Sequence, residues 1–140
     1  MLLAVWSSSV SCVERGSHST LPPAQAFSVP SNFEGEWLGE AAESSGTLRI
    51  QRLGEGLYRG VYRAEDQPLS LVLAMEQQQT AGSDGRTLLS NLVSFTWQDG
   101  RGGRGKGWLL INREDSALMG AFGRGDDHSN NGEWTFIRLE

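Results

Sequence analysis

The chain has 140 residues, enough for one ordinary domain and too few for two. Its net charge of −5 argues against a general nucleic-acid binder, which carries a basic excess to displace counterions from phosphates. A single cysteine, Cys12, excludes an intrachain disulfide and a thiolate zinc site, and His18 and His128 stand far apart and outside any helical metal motif, so no metal site and no cofactor are expected.

Residues 1–31 read as a leader and linker. Met1-Leu-Leu-Ala-Val-Trp6 is a short apolar run followed by Ser7 to Ser11, mostly serines. It falls well short of the roughly 20 apolar residues that span a membrane and suits the end of a secretory signal. Val10-Ser11-Cys12 resembles a degenerate bacterial lipobox, in which the cysteine is lipidated and becomes the mature N-terminus. That resemblance implies a lipid on Cys12, a periplasmic or cell-envelope location, and membrane contact only through the lipid. Ser9 stands where the lipobox family has Leu, and no basic residue precedes the apolar run. The alternative is a disordered tail with a free thiol on a cytoplasmic protein. From Ser17 to Ser31, Pro22, Pro23 and Pro30 among Ser, Thr and Ala have linker composition.

From residue 32 to 140 the pattern is that of strands and turns. Phe33, Gly35, Trp37 and Gly39 alternate with Glu34, Glu36, Leu38 and Glu40, which is period two with one apolar and one mainly acidic face. A turn at Ser44–Gly46 leads to a second strand, Thr47–Leu53, and a turn at Leu53–Gly56 to a third, Leu57–Ala64, with Tyr58, Gly60 and Tyr62 on one face. The fourth strand is Leu69–Met75, and a polar stretch follows from Gln77 to Arg86. The fifth, Thr87–Trp97, sets Val93, Phe95 and Trp97 on one face and allows a bend. A glycine-rich loop over Asp99–Lys106 precedes Gly107–Arg113, Ala117–Gly123 and Gly132–Leu139. No segment shows a capped helical stripe. These elements predict an all-β fold: an eight-stranded antiparallel up-and-down barrel behind a disordered N-terminal leader. An open sandwich is the other architecture they allow.

Gly35-Glu36-Trp37 on the first strand and Trp134-Thr-Phe-Ile-Arg138 on the last resemble the calycin superfamily of lipocalins and avidins. In that family the Trp plugs one barrel end and the Arg packs across it, so the resemblance implies a base plug of Trp37 and Arg138. Tyr62 in Tyr58-Arg-Gly-Val-Tyr62, Trp97 in Ser94-Phe-Thr-Trp97 and the Phe136-Ile-Arg-Leu139 ending are similar to avidin segments. Gly39 and Ala64 fall where avidins place polar biotin contacts, so biotin binding is not expected.

The remaining motifs carry little chemistry. Gly100-Arg-Gly-Gly-Arg-Gly-Lys-Gly107 contains Gly-x-Gly-x-x-Gly, but no helix follows it, and Gly107 replaces the Ser or Thr of a P-loop. It reads as a hairpin loop whose Arg101, Arg104 and Lys106 flank the barrel mouth and can gate an anionic ligand. Asp127, Ser129, Asn131 and Gly132 match the first half of a calcium loop, but position twelve is Arg138, not Glu; an Asn-Gly turn is the simpler reading, with calcium open only through Glu133 or another loop. No Ser-His-Asp arrangement is present, and carboxylates such as Glu34 and Glu36 fall on the outer face.

The expected function is therefore that of a non-enzymatic binding module whose cavity, lined by Tyr58, Tyr62, Phe95, Trp97 and Trp108, holds a small apolar or aromatic ligand. The alternative is a filled barrel that acts as a protein-interaction or assembly subunit through an exposed apolar patch. A barrel enzyme is a third and weaker option. No nucleic-acid partner is expected.

Overall fold

A computed structural model describes residues 21–41, 43–127 and 132–139. Eight strands follow in chain order: β1 (Gly35–Ala41), β2 (Ser44–Gly54), β3 (Leu57–Ala64), β4 (Ser70–Ala81), β5 (Thr87–Gln98), β6 (Arg104–Ile111), β7 (Ala117–Arg124) and β8 (Gly132–Arg138). Each pairs antiparallel with the next, and β8 returns to β1 with Trp37 opposite Arg138 and Ala41 opposite Trp134. The sheet is a closed up-and-down barrel, as the strand spacing predicts. Closure leaves no edge strand among these eight.

Period two decides which side chains fill the barrel. Trp37, Leu48, Ile50, Tyr58, Tyr62, Leu71, Leu73, Met75, Val93, Phe95, Trp97, Leu109, Phe122, Trp134 and Phe136 are buried in one interior cluster. The alternate positions face out, as the glutamates of β1 do.

Three differences from the expected strand boundaries bear on the packing. Ser44–Gly46 is strand, and the β1–β2 turn is made one step earlier, around Glu43 at φ 70°. β4 continues through Gln77–Ala81, because Gln77 points inward and is buried. β6 begins at Arg104, three residues early, so the glycine loop is shorter than it reads. The bend expected in β5 is real. Gln77 pairs with Val93 and Gln79 with Leu89, so Ser90–Leu92 bulge out of the ladder with β4.

That bulge anchors the chain upstream of the barrel. Ser90 O accepts from Gln77 Nε2 at 2.7 Å, and the same amide nitrogen reaches Ser31 O at 3.3 Å. Asn91 N–H donates to Gln25 O, and Gln25 N–H donates to Asn91 Oδ1, both at 2.8 Å. Ser31 and Phe33 are buried, and the Arg113 guanidinium lies 4.3 Å from the Phe27 ring centre. Residues 25–31, assigned to the linker by composition, are therefore docked on the barrel. Linker composition is blind to the backbone groups that a bulge leaves unpaired.

Candidate functional site

The base of the barrel carries the predicted plug. Trp37 is fully buried, and its Nε1–H donates to Phe33 O at 3.1 Å. The Arg138 guanidinium lies 4.3 Å from the Trp37 ring centre, a cation–π distance. Its Nε donates to Asp115 O at 2.7 Å, Nη1 to Glu34 O at 2.6 Å and Nη2 to Asn32 O at 2.8 Å. One planar fork thus ties the chain entering β1 to the β6–β7 loop. Gly35 makes room for it: φ is +141°, and a Cβ there would meet Nη1 of Arg138. Burial raises the Asp115 carboxyl above its ordinary value, against the Asn32 N–H bond and the Arg138 charge.

Of the five residues expected to line a cavity, four face the interior: Tyr58, Tyr62, Phe95 and Trp97 are all buried. They pack against other rings. Phe95, Phe122, Phe136 and Tyr62 lie 5.2, 5.4, 5.7 and 5.8 Å from Trp134, and Trp97 meets Phe122 at 5.8 Å. Glycines make space for this cluster. A Cβ on Gly46 would come within 2.7 Å of the Tyr62 ring, and one on Gly107 would enter Phe95. One cleft that touches Tyr58 and Phe95 opens between Leu57, Ala74, Glu76, Ser94 and Thr96, on the outer wall. Large rings set over glycines pack closely around Trp134.

Trp108, the fifth, is a correction. It alternates with the buried Gly107, Leu109 and Ile111, so it stands half-buried on the outer wall. Both faces of β6 are apolar, which hid the parity.

Interior polar atoms are nearly all paired. Tyr58 Oη–H donates to Gln77 Oε1 at 3.0 Å, Trp97 Nε1–H to Gly123 O at 2.9 Å and Tyr62 Oη–H to Ser44 O at 2.6 Å. The exception among the described residues is Trp134 Nε1, buried in its ring of aromatics without a hydrogen-bond partner. Burial pushes the Tyr62 phenol above its usual value, outweighing the bond to Ser44; the charges of Asp66 and Glu65 push the same way. A raised folded value means Tyr62 supports the fold below its unfolded pKa near 10, and loses that support as pH climbs through the folded one. Tyr62→Phe is expected to cost about 1 kcal/mol at neutral pH through the lost hydrogen bond. The gap to the parent should narrow above about pH 10 in urea titrations, since only the parent then loses Tyr62 protonation. A constant gap counts against burial control of this phenol.

The mouth lies at the end opposite Arg138, as expected of the β5–β6 hairpin. Asp99 Oδ1 accepts from Arg101 N and Gly103 N, both at 2.8 Å, so a carboxylate closes the turn. The Arg101 N–H bond, foremost, holds the Asp99 carboxyl below its usual value. Arg101 is exposed in this loop, but Arg104 and Lys106 belong to β6, and Lys106 reaches Asp126 at 3.7 Å across the outer wall. The predicted three-residue basic gate is therefore not a single loop. Arg124 instead approaches the mouth aromatics, 5.6 Å from the Trp97 ring. Cys12 lies outside the described residues, as does the core of the Asp126–Gly132 loop read for calcium.

Sequence reasoning missed the outer wall over β1, β8, β7 and β6. Leu38 pairs with Ile137, Ile137 with Ala117, Met119 with Leu110, and Ala121 with Trp108. Leu38, Met119 and Ile137 are 37%, 56% and 60% exposed. These residues form one apolar band across four strands. Its signal in the sequence was the weak apolar set on the nominally outer parity of each strand.

No protein-family model, curated protein or solved structure gives a significant match to the chain.

Proposed function

We propose that the chain is a calycin-like barrel with a filled interior, working through its outer wall as a non-enzymatic assembly subunit whose partner is a second copy of itself. The single observation that carries this reading is the outer-wall apolar band, with Leu38, Ile137 and Met119 exposed and Leu110 and Trp108 half-buried, on a barrel whose own core is packed with rings. Water contact along such a band is costly, and a contiguous apolar patch of this kind marks an interface. Its flanks are self-complementary. Glu40 and Glu133 border the β1–β8 side, and Arg104 and Lys106 border the β6 side. A two-fold axis along the strands sets each acidic flank opposite a basic one. The calycin resemblance is supported by the Trp37–Arg138 plug.

Trp134 Nε1 favours a second reading. A buried donor without an acceptor costs about 1–3 kcal/mol, and a small aromatic ligand with one acceptor atom, entering from the mouth, removes that cost. Native mass spectrometry of protein from its source, with sedimentation equilibrium, separates the two. The expected result is a dimer without added mass, with Met119→Glu/Ile137→Glu raising its dissociation constant about 30-fold or more. A monomer carrying a releasable small mass favours the interior ligand. A bare monomer at high micromolar concentration overturns both. An acyl mass on Cys12 in the same spectrum supports envelope tethering, and an unmodified Met1 ends it.

A further inference from the structure

A different part of the wall, over β2 and β3, carries a cluster of arginines on a protein that is acidic overall. Thr47 pairs with Arg63, Arg49 with Val61 and Gln51 with Arg59. Arg59 and Arg63 therefore stand two residues to either side of Val61, and both are diagonal neighbours of Arg49. Diagonal cross-strand positions lie within reach of long side chains. Thr47, Arg49, Arg59, Val61 and Arg63, with Ala64 and Glu65, line an open cleft of about 610 Å³.

The charges in the cleft are unevenly met. Arg49 is paired with Glu36 at 2.6 Å. The side chains of Arg59 and Arg63 have no hydrogen bond, ion pair or ring contact among the described residues. Glu65 stands at the mouth-end rim, so the positive centre is over Val61, between Arg59 and Arg63, with Arg49 beside them on the neighbouring strand. Two unpaired cations call for a group that carries about two negative charges and offers several acceptor oxygens, as a phosphate monoester does. A carboxylate supplies one charge and a planar pair of oxygens, which satisfies a single fork. The Thr47 hydroxyl adds a neutral donor on the same wall, and Val61 and the exposed Val72 supply an apolar shoulder beside it.

We infer that the Arg49–Arg59–Arg63 cleft is an anion site that recognises a phosphate monoester group. The group comes either from a soluble phosphorylated molecule or from the headgroup of an acidic phospholipid. This site is separate from the β1–β8–β7–β6 band, and its test does not depend on the oligomeric state. Isothermal titration of the full chain with inorganic phosphate and with glycerol phosphate, at low and moderate salt, reads the soluble source. Co-sedimentation with phosphatidylcholine vesicles, with and without phosphatidic acid, reads the headgroup source. Binding in the millimolar range or tighter in either arm is expected, weakening with salt. Arg59→Gln/Arg63→Gln should weaken it about tenfold or more, since two charge-assisted contacts are lost. Arg86→Gln, on the β4–β5 loop, should leave it unchanged. Binding in the vesicle arm alone assigns the site to a headgroup, and binding in the titration arm alone to a soluble phosphate. Absence of binding in both arms overturns the inference, as does equal weakening by Arg86→Gln or retention by the double variant.

Discussion

Trp37→Ala is expected to remove about 3–5 kcal/mol of stability, the range for deleting a fully buried aromatic. The indole is 0% exposed, and it is the surface on which the Arg138 guanidinium lies. Its loss leaves a cavity at the barrel base and takes the donor from Phe33 O. Arg138→Met keeps much of the apolar stem but leaves three carbonyls, of Asn32, Glu34 and Asp115, without their donor. Those carbonyls lie near solvent, so water replaces part of the loss and about 2 kcal/mol is expected. Because the two side chains share one contact, the double variant should cost less than the sum, by about 0.5–3 kcal/mol. Chemical denaturation of the four proteins measures this directly. Strict additivity would show that Trp37 and Arg138 stabilise the base independently, and the plug would then be two neighbours rather than one device.

Gln77→Leu is the second large effect, about 2–5 kcal/mol, from a substitution that keeps the volume and removes every polar contact. Gln77 is buried, accepts from Tyr58 Oη–H and donates to Ser90 O and Ser31 O. Without it, the carbonyl freed by the β5 bulge and the carbonyl of the docked N-terminal segment lose a buried donor. The segment should loosen as well as the barrel. Hydrogen exchange at Gln25 and Asn91, whose amides bond across this junction, is expected to quicken more than exchange in β2 or β7. A loss under about 1 kcal/mol with unchanged exchange would mean that residues 25–31 are held by Phe27 and Phe33 alone.

Much of the architecture was legible in the chain. Alternation in β1, β3 and β5 reads correctly because one face is aromatic and the other polar, as with Tyr58 and Tyr62 against Arg59 and Arg63. Legibility fails where that contrast fades. Trp108 reads as interior because its strand is apolar on both faces, and Gln77 reads as loop because a buried amide looks polar in sequence while it caps carbonyls in the fold.

By itself, then, the sequence determined an all-β fold of eight strands, with a closed barrel favoured over an open sandwich, and most of its turns to within a few residues; the Trp37–Arg138 pair came from a family resemblance. The strands and turns depend on local periodicity, which each segment carries by itself. Only the tertiary structure decided that the rings cluster around Trp134, that residues 25–31 belong to the barrel, and that the outer wall carries both an apolar band and an arginine cleft. Each of these is a property of cross-strand register. Leu38 meets Ile137 only after closure sets the first and last strands side by side, and Arg49 comes between Arg59 and Arg63 through the register of the β2–β3 hairpin.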